Sequence, residues 1–270
     1  MNRQTDRAVI EGNRAWWNSI SQHAGDPFQL DGYGAVAQAG GEELLRMITT
    51  DVRRKLELGA HTTLLEVGCG AGAICNGLAN DARRTTGADL AVGMLRQAQR
   101  LNIPRSDFCA VEGARLAFAA QSFDRALCYS VFNNFPSLDY ARAVIHELVR
   151  AVKPGGIVLI GGVPNVARQE EYLRDYAARF GGVYRANHLR AWLAARKKSL
   201  RLGYFSLCAL VGKPVPPALE YLYYDARFFQ DALTGTPHAV QIENAYNLLW
   251  NGRDAPTHAD YRFDVLIRVG

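Results

Sequence analysis

The apolar positions of the chain change period along its length. From about Arg7 to Ser21, a segment carrying Trp16 and Trp17, they fall at helical spacing. They do so again through "GGEELLRMITTDVRRKLEL", where Leu44, Leu45, Ile48, Val52 and Leu56 make one stripe. The intervening "AGDPFQLDGYG" reads as a loop. From Thr62 onward, short apolar runs take over: "TTLLEVG", "RRTTGADL", "SDFCAVEG", "SFDRALCYSV" and "GGIVLIGGV". Helical segments "AICNGLANDA", "VGMLRQAQRLN" and "LDYARAVIHELVRAVK" are interleaved with them. Alternation of this kind up to Val163 predicts a parallel sheet with helices on both faces. The tail departs from it: "ARFFQDALTGTPHAVQIEN" reads as helix, turn and strand, and "YRFDVLIRVG" as a last strand.

The expected fold class is therefore α/β, a Rossmann-like doubly wound sheet of about seven strands with a reversed C-terminal edge pair and added helical lids. The pattern divides into a helical lid over 1–58, a ligand-binding core over 59–163, a helical insertion over 164–224 that serves as a substrate lid, and a completion of the sheet over 225–270. A chain of 270 residues suits one large domain with such lids.

Composition narrows the class. Apolar residues make up 49% and charged residues 21%, as in an ordinary soluble enzyme. The longest apolar runs are far too short to span a bilayer, and the polar N-terminus shows no secretory h-region. The five cysteines, Cys69, Cys75, Cys109, Cys128 and Cys208, are odd in number and lack a C-x-x-C, which points to reduced thiols in a cytoplasmic protein. The net charge is +5, and it is concentrated. Between Arg168 and Tyr224 ten basic residues stand against four acidic ones, an excess of six. Such a segment is either a solvated helix face or a surface for an anionic substrate, an acidic carrier protein or nucleic acid.

The chemistry centres on "LLEVGCGAGA". An apolar strand ends in alternating Gly68, Gly70 and Gly72, the mark of a loop that cradles a nucleotide-like ligand. The spacing also satisfies the dinucleotide fingerprint, so the glycines alone leave the ligand open. Their surroundings decide. Glu66, two residues before the loop, has no use beside an anionic pyrophosphate but suits an ammonium. Asp89 closes the second strand, placed for ribose hydroxyls. Glu112, at the end of the third, suits an adenine ring or its amine. An ammonium, a ribose and an adenine together describe S-adenosylmethionine.

These stretches resemble the class I S-adenosylmethionine-dependent methyltransferases, particularly the small-molecule, type 11-like group. "LLEVGCGAGA" looks like the family's first motif and "TTGADLAVGMLRQAQ" its second-strand motif. "VEGARLAFAAQSFDRALCYSVFNNF" is similar to the adenine and fourth-strand region, and "ELVRAVKPGGIVLIGGV" to the helix, P-G-G turn and fifth strand. The resemblance covers about Thr62 to Val163, and "NRAWWNSISQHA" looks like the lid helix that precedes this core in some members. It implies a cofactor site of Trp17, Glu66, Gly68, Cys69, Gly70, Gly72, Asp89, Leu90, Met94, Glu112, Gly113, Tyr129 and Ser130, with S-adenosylhomocysteine as product. Three positions depart from the family: Ala117 for a proline, Ala91-Val92 for Ser-Pro, and Asn133-Asn134 for a histidine pair. The last removes any inherited catalytic histidine. His23, Tyr33 and His188 are the candidate proton acceptors left in the lids, and no metal-ligand spacing occurs. The expected reaction is methyl transfer to an O or N nucleophile of a small, lipid-like or aromatic molecule. A non-methylating reaction such as cyclisation and a degenerate partner-binding module are the alternatives. "YSVFNNF" in place of an N-P-P-Y tetrad argues against nucleic acid. A homodimer or an acidic carrier would be the macromolecular partner.

Overall fold

The structure is a computed structural model that describes residues 3–22, 25–33, 41–172, 174, 222–246 and 258–270. The strands are β1 (Thr63–Val67), β2 (Arg84–Asp89), β3 (Ser106–Ala110), β4 (Phe123–Tyr129), β5 (Val152–Pro164), β6 (Ala239–Tyr246) and β7 (His258–Arg268). They form one sheet in the order β3-β2-β1-β4-β5-β7-β6. The first five run parallel, whereas β7 pairs antiparallel with both β5 and β6. This is the expected doubly wound sheet with its reversed edge pair.

The helices are α1 (Arg3–Ile20), α2 (Gly41–Lys55), α3 (Ala73–Gly77), α4 (Val92–Arg100), α5 (Leu138–Ala151) and α6 (Arg227–Ala232). The apolar stripe of α2, with Leu44, Ile48 and Val52 fully covered, packs on one face of the sheet against Leu64, Leu127, Leu159 and Leu266. The α5 stripe of Ala141, Val144, Ile145 and Leu148 covers the other face. Central β1, buried through Leu64–Val67, is accordingly apolar on both sides except at Glu66. Ser137 caps α5 by accepting from the Tyr140 N–H at 3.2 Å.

Two elements differ from the sequence expectation. The α3 helix stops at Gly77, well short of the "AICNGLANDA" stretch. Residues 27–33, expected as loop, form a helical turn that closes as a π-turn over Gln29–Tyr33. Asp26 starts it by accepting from the Gln29 N–H at 3.1 Å, and Pro27 fits the first turn, where no N–H is needed. The Leu189, Trp192, Leu193 and Leu200 stripe of the basic insertion lies outside the described residues.

At the β5–β7 junction the register shifts between Ile160 and Val163, where Gly162 has φ +65°. Its N–H donates to Asp264 Oδ1 at 2.7 Å. The other oxygen of Asp264 and the carboxylate of Asp51 each lie 2.6 Å from the fully buried Lys55 Nζ. One ammonium thus fastens α2 to the bulge of the sheet. Removing it leaves the buried Asp264 with only the Gly162 amide and Asp51 with only the exposed Arg54 guanidinium. Lys55→Met should therefore lower unfolding stability by about 3–5 kcal/mol in a urea titration; a loss within about 0.5 kcal/mol would show that the ion pairs are not what anchors α2.

Candidate active site

The parallel strands diverge between β1 and β4, where the chain leaves in opposite directions. A crevice opens there at the carboxyl ends of the strands. On leaving β1 the chain takes left-handed conformations at Gly68 (φ +78°), Gly70 (φ +54°) and Gly72 (φ +86°). Side chains are excluded sterically as well: a Cβ at Gly68 would overlap Val131, and one at Gly70 would overlap the carboxylate of Asp31. The loop is tied to the end of β2 by its own amides. Gly68 N–H and Cys69 N–H both donate to Ala88 O, at 2.7 and 3.2 Å. Asp89 Oδ2 accepts from Gly70 N–H at 2.9 Å, and Oδ1 accepts from Ala91 N–H at 2.8 Å.

Two more carboxylates reach the same loop. Asp31, from the π-turn, accepts from Ala71 N–H at 2.5 Å and from Ala73 N–H at 3.2 Å. Glu66 accepts from the Cys75 thiol at 2.7 Å. Burial pushes all three upward from the ordinary carboxylate range. For Asp31 the Ala71 and Ala73 amides pull back, while Glu66 and Asp89 push further. For Asp89 the backbone amides of Ala91, Gly70 and Leu90 oppose the rise. Glu66 reaches about 7, chiefly through burial, opposed by the Cys75 thiol and assisted by Asp89. Among the described residues no lysine or arginine makes an ion pair with any of the three.

Helix α1 roofs the crevice. Asn13 Nδ2 donates to Asn134 O at 2.7 Å, Asn18 Oδ1 accepts from Gly93 N–H at 2.7 Å, and Gln97 Nε2 donates to Ser21 O at 2.5 Å. Ser137 Oγ donates to Asp6 Oδ2 at 2.9 Å. Ile10, Asn13 and Trp17 thereby become part of the wall, with Trp17 packed beside Leu30, Ala71, Ala91 and Met94. Trp16 is not in the wall.

Most of the expected site meets in this cleft: Trp17, Glu66, Gly68, Cys69, Gly70, Asp89, Leu90, Met94, Gly113, Tyr129 and Ser130 all line it. Ser130 has φ +56°, and its buried Oγ has no hydrogen-bond partner among the described residues. Gly72 and Glu112 are not in the lining. Gly72 turns the loop into α3 and packs towards Ala98. Glu112 hydrogen-bonds instead with the hydroxyl of Tyr140, which lines the cleft. His23 and His188 lie outside the described residues; Tyr33 ends the π-turn, and its side chain is likewise outside them. Asp31, Ile10, Asn13, Val131, Asn134, Phe135, Pro136 and Tyr140 were not expected. The "DGYG" stretch, an acid among turn residues, is the one sequence signal that marked the neighbourhood of Asp31.

Comparison with known proteins agrees with this geometry. Residues 65–160 match the methyltransferase domain family. The chain is 30% identical over 162 residues to a demethylmenaquinone methyltransferase of Corynebacterium urealyticum, spanning 60% of this chain and 63% of that protein. It is 30% identical over 103 residues to a ubiquinone biosynthesis O-methyltransferase of Sinorhizobium medicae, spanning 37% of this chain and 40% of that one. The chain thus spans less than two thirds of these curated relatives. The fold matches a magnesium protoporphyrin IX methyltransferase from Synechocystis PCC 6803, with a TM-score of 0.56, 11% identity and 97% of each chain covered. Residues 65–160, which carry the glycine loop and the acids Glu66 and Asp89, are thus similar to the methyltransferase domain family, and the fold as a whole is similar to that of a solved methyltransferase.

The raised Glu66 sets a pH signature for the ligand-free protein. An unfolded glutamate ionises near 4.5 and the folded Glu66 near 7, so between these values the folded state keeps a proton that the unfolded state has lost. Stability therefore falls as pH rises through this window and levels off above it. Glu66→Gln cannot lose that proton. The stability of the Gln variant relative to wild type should grow between pH 5 and 7.5, by at most about 3 kcal/mol, in denaturant midpoints. A constant difference across that range would mean that Glu66 titrates normally.

Proposed function

We propose that this protein transfers the methyl group of S-adenosylmethionine to an oxygen or nitrogen nucleophile of a small molecule. The observation that carries the reading is the acid-lined glycine loop at the mouth between β1 and β4, roofed by α1. Buried carboxylates that pair with no lysine or arginine among the described residues favour a cationic ligand over an anionic dinucleotide. The cofactor brings an electrophilic methyl on a sulfonium, so the chemistry asked of the protein is mainly orientation and exclusion of water.

In this reading Glu66 takes the ammonium. Asp89 keeps its two backbone donors and has lone pairs left for ribose hydroxyls. Leu90, Met94, Val111 and Gly113 form the wall for the adenine. Tyr129 and Ser130 lie at the end of β4, on the side of the reacting methyl. Trp17 closes the cleft from above with an aromatic face suited to a sulfonium. The acceptor enters beside Ile10, Phe135, Pro136 and Tyr140, an apolar and aromatic wall that suits a lipid-like or aromatic substrate. The sequence "YFSLCALVGKPVPPALEYLYY" would extend that character. The demethylmenaquinone and ubiquinone-biosynthesis enzymes among the relatives support a small-molecule acceptor. His23, Tyr33 and His188 are the candidates for taking a proton from an oxygen nucleophile.

S-adenosylhomocysteine should raise the melting temperature, and nicotinamide dinucleotides should leave it unchanged. The reverse pattern would overturn the reading. Asp89→Ala should weaken S-adenosylhomocysteine by about 1.5–3 kcal/mol, the scale for hydrogen bonds to a charged group, as measured by calorimetry.

A further inference from the structure

We propose that Asp31, carried by the N-terminal lid, is a second ligand for the cofactor's ammonium and shares that cation with Glu66. The inference rests on the cofactor reading above and adds a residue that the glycine motif does not contain: Asp31 precedes the loop it touches by 40 positions.

The lid is built to deliver this side chain. Asp26 starts the π-turn, and Leu30 is buried among Ala71, Ala91 and Met94. That packing brings the next residue over the loop. Its carboxylate then settles on the Ala71 and Ala73 amides, donors that favour an anion and fix its direction. Those amides satisfy part of one carboxylate. The cleft holds two more within electrostatic reach, Glu66 and Asp89, and their protein partners are backbone amides and a thiol. Both neighbouring thiols, Cys69 and Cys75, are also buried, and they supply no positive charge. A compact cation placed among these groups relieves their mutual repulsion, and an α-ammonium is the cationic group of the cofactor that lies apart from its reacting sulfonium.

The opposite arrangement is also testable. Asp31 would then be a stand-in for the ligand's own carboxylate, leaving the loop amides when the ligand binds. The two differ in sign. Calorimetry on the full chain should compare S-adenosylhomocysteine with its analogue lacking only the α-amino group, in wild type and in Asp31→Asn. If Asp31 binds the ammonium, the Asn variant weakens S-adenosylhomocysteine about tenfold or more, and it weakens the deamino analogue less than about threefold or strengthens it. Equal losses for both compounds would show a merely structural role and overturn the proposal. Tighter binding of S-adenosylhomocysteine by the variant would overturn it in favour of competition for the loop amides. Asp31→Ser, also neutral and able to accept from a loop amide, gives the same comparison should the Asn variant not fold. Failure of wild type to bind either compound would instead count against the cofactor reading itself.

Discussion

The architecture of the cleft depends on hydrogen bonds from backbone amides to carboxylates. Beyond the two amides tied to Ala88, the glycine loop leaves the Gly70, Ala71 and Ala73 N–H groups without backbone acceptors, and acids from separate parts of the chain accept from them. Asp89 joins the loop after β1 to the turn that starts α4. Asp31 joins it to the lid. Each bond does two things at once: it fixes the loop and places a negative charge at its rim. Glu66 adds a third charge from within β1, at the point where its partners across the sheet are Gly87 and Leu127. Gly87 leaves room beside it for the Cys69 sulfur. The result is a crevice in which three carboxylates meet without a lysine or arginine ion pair among the described residues.

The lid and the core divide the work. The core presents acids and adenine-sized apolar walls, and these follow from the sheet and its crossovers. Helix α1 is fastened over them mostly by bonds to backbone atoms, at Asn134, Gly93 and Ser21, with one side-chain bond from Ser137 to Asp6. Such contacts ask little of the core's sequence, so a different lid can be laid over the same cofactor site. The methyltransferase family match covers 65–160, while Ile10, Asn13 and Trp17 of the cleft wall lie before it.

The strands, their parallel order and the glycine loop were legible because each is local. Alternation of short apolar runs with helical stripes shows in a window of a dozen residues, and three glycines in five positions have few other uses. Asp89 was legible for the same reason, as the polar residue ending an apolar strand. Asp31 was not, because its role is set by a contact 40 residues away and by a π-turn that apolar period does not encode. Glu112 shows the converse. Its place at the end of β3 was readable, yet the cleft is lined by Tyr140 of α5, the hydrogen-bond partner of Glu112, and not by Glu112 itself. The order of strands fixes neighbours, and side-chain packing between neighbours decides which of two polar groups faces the ligand.

Buried, partly protonated carboxylates that took up the cofactor's cationic end would give up protons as they did so. The most direct measurement is the proton balance of binding. Calorimetric titration of S-adenosylhomocysteine at pH 6.5, in two buffers of different ionisation enthalpy, counts the protons exchanged on complex formation. The ligand's ammonium keeps its proton at that pH, so exchange reports the protein groups. The account predicts net proton release, as the acids around the loop ionise against the incoming cation. No exchange, or net uptake, would contradict it.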